Sequence, residues 1–263
     1  MTCREVEGWI IAYADGAPVP PEVAAHIAGC EDCRSLARAI GKTLPPSAVP
    51  PEELQRIAEA TLADLKPVRL LASPGTLIVA LLCALLIVAA AGAAALGIGG
   101  LRALSPVQMI AVFSVLLSGA VLLAYSLSRQ VAPGSRLVVS PGLSVAGVLG
   151  VILLLVAALF RPHQEATFVA TGLVCLRIGL GVAVASALLF WLVLRRGAAL
   201  NPVLTGATAG AMAGLSGLCV LEIFCPNLNA YHILAWHLGA LLTSTAIGTA
   251  AGVVAGHFSR RDA

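Results

Sequence analysis

Charge is what this chain has least of. Only 11% of its 263 residues are Asp, Glu, Lys or Arg, against about a quarter in soluble domains. Aromatic residues are also few, at 5%, and the mean hydropathy is +0.96. Together these exclude one large water-soluble domain and point to a membrane protein. The deficit is uneven. Residues 1–69 read as ordinary soluble sequence, and almost everything after Leu70 is apolar blocks separated by short polar loops. Other absences narrow the reading. No cleavable secretion signal is expected, because the first 69 residues are too polar. No βαβ pattern surrounds the one Cys-x-x-Cys string, which argues against a thioredoxin-type motif. Nothing shows the inverted repeats or interrupted helices of a transporter.

What is present is a set of long apolar runs. A spanning helix needs about 20 mostly apolar residues. Six blocks meet that length, near 76–98, 107–127, 137–160, 167–194, 202–225 and 232–256. Each is rich in Ala, Gly, Leu and Val, and small residues let helix backbones approach closely in lipid. The run from Gly206 through Gly210 to Gly214 gives the fifth block such a face.

Basic residues concentrate in cytoplasmic loops of membrane proteins. Lys66 and Arg69 precede the first block, and Arg129 and Arg136 lie between the second and third. Arg195 and Arg196 follow the fourth, and Arg260 and Arg261 follow the sixth. The alternate loops hold only Arg102 and Arg161. The expectation is a bacterial inner-membrane protein with six spans, both termini cytoplasmic, and membrane lipids as its surroundings.

The N-terminal head has its own chemistry. Residues 1–69 carry seven basic and ten acidic side chains, an excess of acid that argues against direct nucleic-acid binding. Cys3 stands 23 residues before His26, which is followed by Cys30 and Cys33. Three thiolates and an imidazole are a closed structural set for zinc. Pro20 and Pro21 suit the start of a short helix, which puts His26 and Cys30 four apart on one face. A cytosolic placement favours metal over disulfide. A head of about 45 residues buries little core, so a metal staple has a structural task. Zinc is the expected cofactor.

Three further helices complete the head. One runs over 4–14 with Val6, Trp9, Ile10 and Tyr13 as its apolar stripe, and another follows Asp32 and stops near Gly41. The Pro-rich run 44–51 reads as a stiff linker. Residues 52–65 form an amphipathic helix whose face holds Leu54, Ile57, Ala58, Leu62 and Leu65. That face either packs back on the zinc knot or meets a partner. The expected fold is all-α, a small zinc-bound helical head plus a six-helix transmembrane bundle. The boundaries are 1–43 for the head, 44–69 for linker and amphipathic helix, 70–258 for the spans and 259–263 for a tail.

A second constellation lies toward the outward ends of spans four, five and six: Cys175, Arg177, Cys219, Glu222, Cys225, His232 and His237. Ionisable groups at membrane depth are costly and usually functional. Arg177 and Glu222 are expected to pair. Cys175 and Cys225 suit a disulfide, or a soft metal with His232 and His237. Depth alone favours Cys219 as the nearer partner of Cys175, or a site spread over several ångströms. Cys83 reads as a packing residue, and His163 and His257 as solvated loop or interface residues.

The head resembles the zinc-binding anti-sigma domain. Three strings carry the resemblance: Cys3-Arg-Glu-Val-Glu, Ala12-Tyr-Ala-Asp-Gly16, and His26-x-x-x-Cys30-x-x-Cys33. It covers about residues 1–40 and implies zinc held by His26, Cys30 and Cys33, with Cys3 at the family's variable position. Such domains hold an extracytoplasmic-function sigma factor away from RNA polymerase. The resemblance gives helix 52–65 a part in that grip. Residues from about 170 to 255 resemble the six-span negative regulators of sigma F. Here the carriers are Cys175, the Leu194-Arg-Arg-Gly-Ala198 loop, the Gly-rich fifth span, and Cys225-Pro226 followed by Trp236. In that group the cysteines matching Cys175 and Cys225 are implicated in sensing. The chain is thus expected to be a composite, a non-enzymatic regulator with a sigma factor as partner and no evident small-molecule substrate. The competing readings are a membrane thiol oxidoreductase using Cys175 and Cys225, and a transporter with a regulatory zinc head.

Overall fold

A computed structural model describes the chain except residues 44–50, 65–71, 133, 136, 137, 196, 198 and 260–263. The linker, Leu65, the C-terminal tail and several loop cations (Lys66, Arg69, Arg136, Arg196, Arg260 and Arg261) lie outside the described residues. Every regular element among the described residues is helical, and the chain divides into two compact units, Met1–Arg69 and Leu70–Ala263.

The first unit holds α1 (Cys3–Val6), a 3₁₀ turn (Glu7–Trp9), α2 (Ile10–Ala14), α3 (Pro21–Gly29), α4 (Glu31–Thr43) and α5 (Pro51–Asp64). The expected helix over 4–14 is therefore interrupted at Glu7–Trp9. Gly8 sits in that turn, and glycine gives an α-helix little support. Thr2 and Glu5 cap α1 reciprocally. The head core is small: Val6, Ile10, Val23, Ile27, Cys33 and Ala37. Of the expected stripe, Val6 and Ile10 are inside, whereas Trp9 is 43% and Tyr13 37% exposed. The apolar side chains of α5 find no cover among the described residues: Leu54 and Ile57 are each 51% exposed and Leu62 66%.

The second unit holds α6 (Pro74–Leu96), α7 (Gly99–Ala103), α8 (Pro106–Val131), α9 (Pro141–Leu159), α10 (Phe168–Leu194) and α11 (Pro202–Phe224). These are followed by α12 (Ala230–His232), a π turn (Ile233–His237) and α13 (Leu238–Ser259). Six helical stretches are long and apolar enough to cross a membrane, the last running through Ala230–His257. Four of them begin alike, with Ser73, Ser105, Ser140 or Asn201 followed by proline, and each cap side chain accepts a backbone N–H of the first turn. Such caps satisfy orphan donors where water is scarce, and proline at the first helical position needs no bond there.

The fifth span is the axis of the bundle. In α11, 72% of the most apolar stretch is buried, against 22–33% in the other five. Glycine makes this possible. A Cβ on Gly206 or Gly210 would strike the backbone carbonyls of Gly248 and Ser244, so α11 and α13 touch backbone to backbone. Across the bundle, Gln130 Nε2 donates to Thr208 Oγ1 at 3.0 Å, and Thr205 Oγ1 donates to Gln130 Oε1 at 3.2 Å. These bonds tie α8 to α11 where few other polar partners exist. Cys83, expected to pack, is exposed on the surface of α6.

Candidate functional site

The head brings its four expected ligands together. Ligand atoms of Cys3, His26, Cys30 and Cys33 all lie within 4.8 Å of one another. Local structure explains the convergence. His26 and Cys30 lie one turn apart at the end of α3, where Cys30 turns extended and its N–H bonds the His26 carbonyl at 2.8 Å. Cys33 occupies the first turn of α4. Cys3, the least constrained by spacing, opens α1 and sits with its sulfur 3.7 Å from that of Cys30. Four arms of about 2.3 Å arranged tetrahedrally have ends about 3.8 Å apart, so the separation suits a metal. His26 Nε2 is buried without a hydrogen-bond partner, as a waiting ligand would be. The N–H of Cys33 and then the Cys3 thiol hold the Cys30 thiol below its ordinary value. Burial, followed by those two thiols, pushes Cys33 up to about 12. The group can hold a metal ion.

The second constellation also converges, with changed membership. Cys175, Cys225, His232 and His237 are all buried, with ligand atoms within 4.8 Å of one another. The Cys175 thiol donates to the Cys225 sulfur at 3.5 Å, and His232 Nε2 lies 3.7 Å from that sulfur. Cys219 is buried in the main core cluster instead. Its similar depth does not matter, because Cys225 sits at the extended C-cap of α11, buried with Leu221 and Cys175. The expected Arg177–Glu222 pair does not form. Glu222 accepts from His237 Nδ1 at 2.8 Å, whereas Arg177 is exposed on α10. Cys175 faces inward on that helix, and two further residues, about 200° around the axis, carry Arg177 to the opposite face.

A π turn makes the histidines neighbours. Residues five apart lie about 140° apart around an α-helix but nearly above one another where bonds run i to i+5. His232 immediately precedes such a turn and His237 is its last residue, and their ring centroids are 5.2 Å apart at 82°. Trp236, within the turn, lies on Gly172 of α10, where any Cβ would occupy the indole's place. Phe168 stacks obliquely on Trp236 at 5.5 Å and edge-on to His232 at 6.5 Å.

Sequence reasoning missed the clasp over this cluster. Asn227 Nδ2 donates to Glu165 Oε2 at 2.8 Å, Asn229 Nδ2 donates to the His163 carbonyl at 2.8 Å, and the His163 N–H returns to Asn229 Oδ1 at 3.2 Å. The Asn227 amide holds the Glu165 carboxyl below its usual value. Asn229 also caps α12, accepting from the Tyr231 N–H. Asparagine just ahead of a helix was the available signal.

A family model described as "Negative regulator of sigma F" matches residues 62–255. The match takes in all six apolar stretches, not just the later ones, and leaves out the Cys and His group of the head. No curated protein matches the chain, and no solved structure does.

Proposed function

Because the chain belongs to the family of negative regulators of sigma F, we propose that it is a membrane-anchored anti-sigma factor with a zinc-bound head. The head sequesters a sigma factor of the extracytoplasmic-function type and releases it on an envelope signal, redox or metal. In this reading Cys3, His26, Cys30 and Cys33 hold zinc, and the head folds around it. Leu54, Ile57 and Leu62 of α5, with Leu65 beyond it, grip the sigma factor. The cluster of Cys175, Cys225, His232 and His237 receives the signal, with Glu222 and Trp236 in contact with it. Arg177 stands apart on the outer face of α10. The inner bacterial membrane with both termini cytoplasmic suits the distribution of Lys and Arg.

The single observation that carries the grip is the apolar face of α5, exposed among the described residues, in a chain whose family regulates a sigma factor. A helix this apolar on one side gains from a groove on a partner. The test is co-purification of a sigma factor with the full-length protein from membranes, and its loss when Leu54 and Leu62 become Asp. Recovery of the sigma factor with the altered protein at wild-type yield would overturn it.

One observation favours a second reading. Two free thiols 3.5 Å apart inside a bundle suit a membrane thiol oxidoreductase. Turnover of a dithiol substrate by purified protein, lost in Cys225→Ser, would favour that reading over a regulator.

A further inference from the structure

We propose that Cys175, Cys225, His232 and His237 form a second metal site, which takes a thiophilic divalent cation of the zinc and cadmium class. The proposal deepens the reading of this cluster as the receiving end, and rests on it. Four features of the molecule carry it.

The first is distance. Tetrahedral ligand sets with arms of about 2.3 Å for sulfur and 2.0–2.1 Å for nitrogen have edges of roughly 3.4–3.8 Å. Cys175 to Cys225 is 3.5 Å, and Cys225 to His232 Nε2 is 3.7 Å. The second is an unmet need. His237 is 1% exposed and Glu222 occupies its Nδ1, yet its Nε2 is buried with no partner. A buried ring nitrogen left unpaired keeps its full desolvation penalty, and a metal removes that cost. The third is orientation. A carboxylate on one ring nitrogen fixes the imidazole so that the other presents its lone pair, the usual partner of a metal-ligating histidine. The fourth is the π turn, which alone places His232 and His237 side by side. Turns of this kind concentrate at functional sites.

Charge and access agree. Two thiolates and two neutral imidazoles cancel a divalent ion, so the loaded ligand sphere adds no net charge to a pocket that excludes water. Loading forms two metal–sulfur and two metal–nitrogen bonds, releases the two thiol protons, and moves no electron. A cavity of about 640 Å³ lined by His163, Glu165, Phe168 and Tyr231 adjoins the site. Phe168, in contact with His232, separates the two.

The test uses the full-length chain in detergent with Cys30→Ser and Cys33→Ser, which disables the head ligands. It is loaded with Co²⁺ under reducing conditions. The expected result is one Co²⁺ per chain with the strong visible bands of tetrahedral thiolate coordination. Alkylation of Cys175 and Cys225 by a permeant maleimide should slow at least about tenfold on loading. Adding Glu222→Gln should weaken Co²⁺ binding by about 10–100-fold while keeping the bands. Failure to take up Co²⁺ in a protein whose helical content is intact overturns the proposal. So does undiminished uptake after Cys175→Ser and Cys225→Ser. Recovery of a Cys175–Cys225 disulfide that excess metal does not prevent overturns it in favour of thiol oxidation. No sigma factor is present in the assay, so a failed site and a failed silencing function give separate results.

Discussion

Glu222 and His237 share one buried hydrogen bond, 2.8 Å from Oε1 to Nδ1, although they come from different helical stretches. The carboxylate is 6% and the imidazole 1% exposed, so neither has water to turn to. The bond fastens the end of α11 to the π turn. Removing one member of such a pair leaves the other buried alone, at roughly 3–5 kcal/mol. Glu222→Ala should therefore lower thermal stability in detergent sharply, and Glu222→Gln, which still accepts a bond, much less. Equal melting of the two variants would mean that the hydrogen bond itself contributes nothing.

Glycine contacts between α11 and α13 give a contrast within one bundle. At Gly210 a side chain would meet the Ser244 carbonyl, and at Gly181 it would meet open space. Gly210→Val should cost about 1–3 kcal/mol or more through overpacking. Gly181→Ala should be neutral or slightly stabilising through helix propensity. Unfolding of both variants in the same detergent checks the difference.

Leu62 is the most exposed of the α5 anchors at 66%, so Leu62→Asp should leave the head fold and its metal content intact. Burying a leucine against a partner is worth roughly 1.5–3 kcal/mol. Its loss should weaken sigma binding by about tenfold or more and raise sigma-dependent transcription in a reporter strain. Unchanged repression would assign the grip to another surface, such as exposed Trp9, Ile11 and Leu36.

Among the described residues the head core contains six buried side chains, one of them the candidate ligand Cys33. A core this small supplies little stability of its own. Stripping metal with a strong chelator should therefore open Met1–Arg69 to protease while the six spans stay protected. Because the thiols must lose protons to bind metal, the chelator should act at lower concentration as the pH falls. Protection of the head after complete metal removal would show that its core suffices.

The Glu165–Asn227 bond carries a pH signature. The amide of Asn227 lowers the Glu165 pKa in the folded chain, so the bond favours the folded clasp above the unfolded value of about 4.3. That contribution is lost as the pH falls through the lowered value. Acidification, or Glu165→Gln at neutral pH, should speed hydrogen exchange over residues 161–167 and leave the middle of α11 unchanged.

Composition, periodicity and spacing determined the all-α class, the six apolar runs and the Cys and His group of the head that could hold a metal. These properties are local. A run of about 20 apolar residues must pair its backbone polar groups within a helix. His26, Cys30 and Cys33 fall within eight residues, so one helix end and the next helix start keep them close. Cys3, by contrast, joins them from α1 only through the packing of the head. The cluster in the spans was legible as a shared depth and as a possible set of Cys175 and Cys225 with His232 and His237, but not as a choice between Cys219 and Cys225. Sequence placed Cys175, Glu222, Cys225 and the histidines near one end, but depth does not fix which way a side chain faces. That depended on how α10, α11 and the last span turn against one another, which put Arg177 outside and gave Glu222 to His237. The π turn depended on it still more. Ile233-Leu-Ala-Trp-His237 is ordinary helical sequence, and its extra residue is tolerated because Trp236 finds a bare glycine at Gly172 and both histidines find buried partners. The tertiary packing decided that geometry, because only there do the contacts that offset a distorted turn exist.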